Sequence, residues 1–546
     1  MWAAVLLLAA AGRAAEPPAG AEKPTADPLR VEGGPISDQA ADGKGDVRAY
    51  KGIPFAAPPV GELRWKPPQP VKPWDGVRAC TAFGNWCPQP KPMLGRELGS
   101  LSEDCLYLNV WTPAKKPEDK LPVMVWIHGG GYTTGSGGAK YYEGATLARE
   151  GIVVVTINYR LGPFGFLCHP LLSKESEKGL SGNYGMLDQI AALQWVRGNI
   201  AAFGGDPGCV TIFGESAGSA SVCRLMVSPL AKGLFHRAIA ESGGAHGRNR
   251  GLRGTRDGAE SGEKMGEAIA KALGCDQAPD VLAALRAKSA DEILAASNPS
   301  QGLFGKGNKF APVVDGWVLP DDPGLMWEQG KQHAAPFMAG TNANEGTVFL
   351  QQLPIKKPLG YKLVVRAMFK GVGDDLLKLF PAETDEEVPK ALDRLVTAAS
   401  FVAPARMLVR AMPPVKQPAY LYHFTRVPDL TRQRKLGCFH SLEIMYVFGN
   451  LPQEFGPNEK DEALSKVMRR YWTHFARTGD PNGEGLPAWP AYAQEKDEHL
   501  ELGDEIKVKS GLFREACDIL ERNVRDRRGK ADGGKDAAPE TPPPGI

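Results

Sequence analysis

The chain of 546 residues lacks a charge field of either sign. Its 65 Lys and Arg stand against 63 Asp and Glu, a formal net charge of +2, so no long-range attraction draws it to nucleic acid or an anionic membrane. It has no zinc-type Cys/His spacing, no phosphate-cradling loop and no dinucleotide fingerprint. No metal or organic cofactor is therefore expected. Beyond the N-terminal stretch there is no apolar run long enough to cross a bilayer, and no internal repeat is evident. Nine cysteines is an odd number, which excludes a framework in which every thiol pairs within the chain. What is present is ordinary for a soluble globular protein, 42% apolar and 23% charged.

The N-terminus reads as a leader. Trp2 to Ala11 is apolar and Gly12-Arg13-Ala14-Ala15 supplies small residues for cleavage, the form of a signal peptide over residues 1–15, although no Lys or Arg precedes the apolar stretch. Export to the periplasm or the medium is the expectation. Residues 16–29 are rich in Pro, Ala and Glu and read as a linker, 30–523 as one large catalytic domain, and 524–546 as a disordered tail of Gly, Pro and charge. Cys87 and Cys105 lie in a loop-rich region at a spacing that a disulfide worth roughly 3 kcal/mol could close. Cys168, Cys209 and Cys223 have apolar neighbours and read as buried thiols.

Apolar runs at Val123–Ile127, Ile152–Ile157 and Val210–Phe213 read as buried strands. The stretch 186–202 reads as a helix packed on the sheet, and 265–296 as helix broken near Gly274 and Ser289. Strands alternating with helices predict an α/β fold, a large and mostly parallel sheet covered on both faces.

Two motifs punctuate the strands. After Val210–Phe213 comes Gly214-Glu215-Ser216-Ala217-Gly218, followed by a helix-compatible stretch. Strand, Gly-x-Ser-x-Gly, helix is the context that forces a serine onto a sharp turn with its hydroxyl exposed. After Val123–Ile127 comes His128-Gly129-Gly130-Gly131-Tyr132, a loop whose backbone N–H groups can approach an oxygen that gains negative charge when a serine attacks an ester. Together they predict an α/β-hydrolase.

A serine hydroxyl needs a base, and the base needs an acid to hold its tautomer. In this fold the chain order is Ser, then Asp or Glu, then His. Glu345 follows the strand-like Phe337–Gly340 and fits the acid. His440 precedes an apolar stretch, Leu442 to Phe448, but spacing alone does not choose it over His423 or His474.

From about Arg30 to Glu521 the chain resembles the type-B carboxylesterases, the family of cholinesterases, mammalian liver carboxylesterases and bacterial p-nitrobenzyl esterases. The resemblance rests on Tyr50-Lys51-Gly52-Ile53-Pro54-Phe55-Ala56, Glu103-Asp104-Cys105-Leu106-Tyr107-Leu108-Asn109, Asn158-Tyr159-Arg160-Leu161-Gly162, Gly182-Asn183-Tyr184-Gly185 and Phe203-Gly204-Gly205-Asp206-Pro207. It implies Ser216 as nucleophile, Glu345 as acid and His440 as base. It implies Gly130, Gly131 and Ala217 as oxyanion donors, Ser242 as a residue that helps hold acid and base, and a Cys87–Cys105 disulfide. The substrate it implies is a small-molecule ester. A base that works as neutral imidazole predicts activity falling below roughly pH 6.5.

The chain also departs from the family. No tryptophan lies between Cys87 and Cys105, so the indole that cholinesterases use for choline is missing and that activity is not expected. Cys275 and Cys517 lack the mates of the family's later disulfides. After Ser242 the sequence runs through His246 and Arg248 where an aromatic often lines the acyl side. A guanidinium there would suit an acidic or polycarboxylate ester, the second reading, with an amidase beside it. A non-catalytic binding protein of the same fold is the third, against which all the catalytic positions are filled.

Overall fold

The computed structural model describes residues 27–532 apart from 42–44, 93–97, 248 and 257. Eleven strands form one sheet: β1 (Gln39–Ala40), β2 (Arg48–Pro54), β3 (Tyr107–Thr112), β4 (Leu121–Ile127), β5 (Val153–Ile157), β6 (Gly205–Glu215), β7 (Arg237–Glu241), β8 (Phe337–Asn342), β9 (Ala419–Phe424), β10 (Glu498–Leu502) and β11 (Ile506–Ser510). Their order across the sheet is β11-β10-β9-β8-β7-β6-β4-β5-β3-β2-β1. From β10 to β5 every pair is parallel. Both margins turn antiparallel, so the sheet is mixed at its edges and parallel at its centre.

The central runs are apolar on both faces because both faces are covered. Along β4, Val123, Val125 and Ile127 enter one core while Met124 and Trp126 enter the other. Each such fully buried aliphatic side chain contributes about 1.5–3 kcal/mol. Helices α1 (Tyr184–Asn199) and α2 (Ala217–Leu225) cover the first face. Short α3 (Pro323–Glu328) follows at the same side. Helices α4 (Val388–Thr397) and α5 (Ala403–Arg410) come next, then α6 (Glu443–Phe448) and α7 (Glu459–Thr478) on the second face, and last α8 (Arg514–Asp532). Helix α1 starts and ends close to the expected bounds and passes into a tight turn stopped by Gly204 at φ 76°. There a Cβ would come within 2.3 Å of the Ala114 side chain. The helical stretch after residue 260 breaks at Gly274 (φ 66°), resumes at Val281–Arg286, and breaks again before Ser289, whose side chain caps the next helix in a reciprocal bond pair with Glu292.

Three expectations change. Helix α8 extends through 524–532 in place of the start of a disordered tail, because Arg528 ties its last turns to the fold through Glu328 at 2.6 Å and Asp322 at 2.9 Å. The stretch Val388–Val415 is apolar and long enough to cross a membrane, yet 78% of its apolar window is buried in the fold, so it is a core helix. Cys209 is only half-buried, at the outer end of β6, whereas Cys168 and Cys223 are buried. The leader at 1–15, most of the linker at 16–29, and residues 533–546 lie outside the described residues.

The strand register sets the site. Ile127, Gly214, Ala240 and Ala339 stand level across β4, β6, β7 and β8. The loops that follow these strands therefore leave from one edge, at the carboxyl ends, where open α/β sheets carry their ligands.

Candidate active site

Ser216 occupies the turn between β6 and α2 with φ 57° and ψ −117°, a conformation that costs a non-glycine residue of order 1–3 kcal/mol. Its flanking glycines are required by space: a Cβ on Gly218 would meet the Ile127 carbonyl oxygen at 1.9 Å, and one on Gly214 at 2.5 Å. The Ser216 N–H donates to the Glu241 carbonyl at 2.9 Å, and its own carbonyl accepts from Ala220. The glycine loop after β4 lies against this turn, since a Cβ on Gly129 would sit 3.1 Å from that of Ser216. Gly130 and Gly131, at φ 104° and 64°, are exposed. Among the described residues the N–H groups of Gly130, Gly131 and Ala217 donate to no protein acceptor, so they are available to a ligand oxygen.

Glu345 lies in the turn after β8, fully buried, with one carboxyl oxygen accepting from the Asn342 N–H at 2.7 Å. The other is 2.6 Å from His440 Nδ1. The structure thus brings Glu345 and His440 together, and not His423 or His474. Glu345 fixes Nδ1 as the donor and turns Nε2 toward the serine's turn. There Nε2 stands 3.0 Å from Glu215, the residue directly before Ser216, and the Ser441 hydroxyl donates to the same Glu215 oxygen at 2.6 Å.

His440 is pulled two ways. Burial disfavours its charged form, but Glu215 and Glu345 outweigh burial and raise its pKa well above the usual value. Two further carboxyls complete a buried acidic group. Burial, reinforced by its acidic neighbours, raises Glu443 well above the carboxylate range. Burial likewise brings Glu241 to about 8, against the Trp472 indole N–H that donates to it at 2.7 Å. Glu241 is therefore largely protonated at pH 7.

Among the described residues Ser242 makes no hydrogen bond to Glu345 or His440. Its hydroxyl donates to Glu443 at 3.2 Å, and Glu443 accepts in turn from Asn342. Ser242 reaches the acid only through that chain. His246 is buried beside Glu328 at 3.7 Å, where burial, followed by the nearby Arg528 charge, lowers its pKa to about 3. It is neutral and presents no cation. Arg248 lies outside the described residues. The structure brings Cys87 and Cys105 side by side as buried thiols, and their mutual hydrogen-bond contact, with burial, pushes Cys105 well above the usual thiol range.

Four side chains around the base escaped the sequence reading. Glu215 is the variable residue of the serine motif, and Glu443 is a lone acid in an otherwise apolar run, which was a usable signal. Phe349 and Phe401 flank the imidazole, with ring centroids 5.1 and 4.9 Å away. Phe401 stands in a π turn, Ala398–Val402, between α4 and α5, and nothing in its local sequence marks it.

A sharp strand-to-helix serine, a glycine loop and a carboxyl-held histidine at the carboxyl edge of a parallel sheet define a serine hydrolase of the α/β-hydrolase fold. The sequence profile described as the carboxylesterase family matches residues 29–520, and the chain belongs to that family. It is 38% identical over 482 residues to fumonisin B1 esterase of Sphingopyxis macrogoltabida, covering 86% of each chain. It is also 38% identical over 484 residues to para-nitrobenzyl esterase of Bacillus subtilis (strain 168), covering 85% of this chain and 93% of that one. A solved structure of PNB esterase superposes with a TM-score of 0.77 at 34% identity, over 90% of this chain and 99% of the other. The protein is a serine esterase that hydrolyses carboxylic esters.

Proposed function

We propose that Ser216, His440 and Glu345 carry the hydrolysis. The observation that supports this most directly is the 2.6 Å contact between His440 Nδ1 and Glu345, beside a serine in a strained turn. Ser216 Oγ attacks the ester carbonyl carbon as His440 Nε2 takes its proton. Glu345 holds Nδ1–H and balances the imidazolium. The N–H groups of Gly130, Gly131 and Ala217 receive the oxyanion, each worth about 3 kcal/mol to the transition state. The carbonyl re-forms, the alcohol leaves with the proton from Nε2, and water repeats the sequence to release the acid and free Ser216. A fluorophosphonate probe should label wild type and not Ser216→Ala, and p-nitrophenyl acetate and butyrate should lose their turnover in that variant. Turnover retained by a folded Ser216→Ala protein overturns the assignment.

On the substrate, Phe349 and Phe401 beside His440 favour an uncharged acyl group. The similarity to fumonisin B1 esterase makes fumonisin B1 a candidate substrate, and the second reading, acidic or polycarboxylate esters, would take its cation from Arg248 rather than from neutral His246. A panel of neutral and anionic esters, with fumonisin B1 among them, separates the two. Export would join Cys87 to Cys105. Thiol titration of the unfolded, unreduced protein secreted by its host should then find two fewer thiols than the nine in the sequence, and nine would refute the pairing.

A further inference from the structure

Tyr132 directly follows the glycine loop and adopts φ 59°, a left-handed conformation that an aromatic residue holds only when its surroundings enforce it. Its carbonyl accepts from the Gly162 N–H at 2.7 Å. Its hydroxyl accepts from Ser221 Oγ at 3.5 Å and from Arg224 Nη1 at 3.4 Å. Both partners stand on α2, the helix that begins just after Ser216, so one phenol oxygen joins the oxyanion loop to the nucleophile's own helix.

Arg224 is the anomaly. It is only 7% exposed, its Nε–H has no partner, and among the described residues no carboxylate lies within ion-pair distance of it. Its Nη1 also donates to the Ala220 carbonyl at 2.9 Å, yet a buried guanidinium with no carboxylate partner is unfavourable. The charge is instead reached through a polar relay. Arg224 Nη2 donates to Asn249 Oδ1 at 3.0 Å, Asn249 Nδ2 donates to Asp322 at 2.8 Å, and Arg528 of α8 donates to the other Asp322 oxygen at 2.9 Å. The Arg224 guanidinium also lies 5.9 Å from the Tyr132 ring centroid, where a cation is attracted to the ring.

We infer that Tyr132 and Arg224 are positioning residues that lock the oxyanion loop to the nucleophile helix, and that the C-terminal helix braces this lock through Arg528, Asp322 and Asn249. This rests on the oxyanion assignment above. A loop held in advance stabilises charge that develops in the transition state more than it binds the ground state, so the signature is a fall in kcat rather than a rise in KM.

The test compares p-nitrophenyl butyrate kinetics with the affinity of phenylboronic acid, which forms a tetrahedral adduct, and of butyrate, which does not. Tyr132→Phe removes one oxygen and should lower kcat about 10- to 50-fold with KM within about twofold, and weaken the boronic acid but not butyrate by the same factor. Arg224→Met should match it, Arg224→Lys should recover most of the loss, and the double variant Tyr132→Phe/Arg224→Met should be no worse than either single one. Arg528→Gln, at the far end of the relay, should cost only about two- to fivefold. Wild-type kcat in Tyr132→Phe overturns the lock, as does an Arg224→Met protein that loses only thermal stability. If phenylboronic acid binds wild type no more tightly than butyrate does, the oxyanion assignment itself has failed. Tight wild-type binding with unchanged variants removes only the lock. Should Arg224→Met fail to fold, Tyr132→Phe alone decides.

Discussion

His440 and His423 are buried alike, 7% and 6% exposed, near the carboxyl ends of the same sheet, yet their protons behave in opposite ways. Around His440 two carboxyls, Glu215 at 3.0 Å and Glu345 at 2.6 Å, overcome burial and stabilise the cation. Around His423 burial acts almost unopposed, helped by the nearby His499 and Lys509 charges, and brings the pKa to about 3. Its Nδ1 meets only the Thr341 hydroxyl, at 3.1 Å. Burial alone thus keeps a histidine neutral, and charged partners at the same depth let its charged form persist.

The largest effect should come from exchanging the two for glutamine. His440→Gln should lower kcat on p-nitrophenyl acetate by about 10⁴-fold or more, while His423→Gln should stay within about threefold. Equal losses would erase the distinction. Next is Glu215→Gln, which removes one charge from His440 and should move the acid limb of the kcat/KM–pH profile down by about one unit or more. An unmoved limb would assign the raised pKa to Glu345 alone.

Stability against pH sharpens the comparison further. His423 and His246 are held near 3, and His128 and His499 near 4, with burial the leading cause in each. Below the unfolded value of about 6.5 the unfolded chain binds protons that these four refuse when folded. The fold should therefore lose stability as pH falls from 6.5 toward 4, seen as a falling Tm. His440 has the opposite sign: its pKa is raised on folding, so its contribution is full below 6.5 and is lost as pH rises through the folded value. Replacing His423 and His499 by glutamine should flatten the acid slope. The smallest effect is Ser242→Ala, about 1 kcal/mol from one hydrogen bond to buried Glu443, with kcat nearly unchanged. A large kcat loss would mean that Ser242 acts on the base more directly than its contact with Glu443 implies.

The strands that carry the site were readable because fully buried parallel strands are apolar without interruption, as at Val123–Ile127. The turn of Ser216 was readable because the close approach to Ile127 admits only glycine at 214 and 218. His440 was not separable from His423 by spacing, since neither the pair of carboxyls nor the depth of burial has a local signature. The resemblance to a family supplied that choice. The run of α8 past 523 was not readable because α8 beyond Leu520 is polar, and Arg528 is held by acids some two hundred residues away in the chain.

By itself the sequence determined which strands are buried, where the chain must turn too tightly for a side chain, and that a serine stands at one such turn. These are local consequences of hydrophobicity, periodicity and backbone sterics. Only the tertiary structure decided that His440 stands between Glu345 and Glu215, that Glu241 and Glu443 are buried beside them, and that Tyr132 is joined to Arg224. Each of these depends on charges and donors brought within a few ångströms from distant parts of the chain, and electrostatic energy follows distance in space rather than separation in sequence.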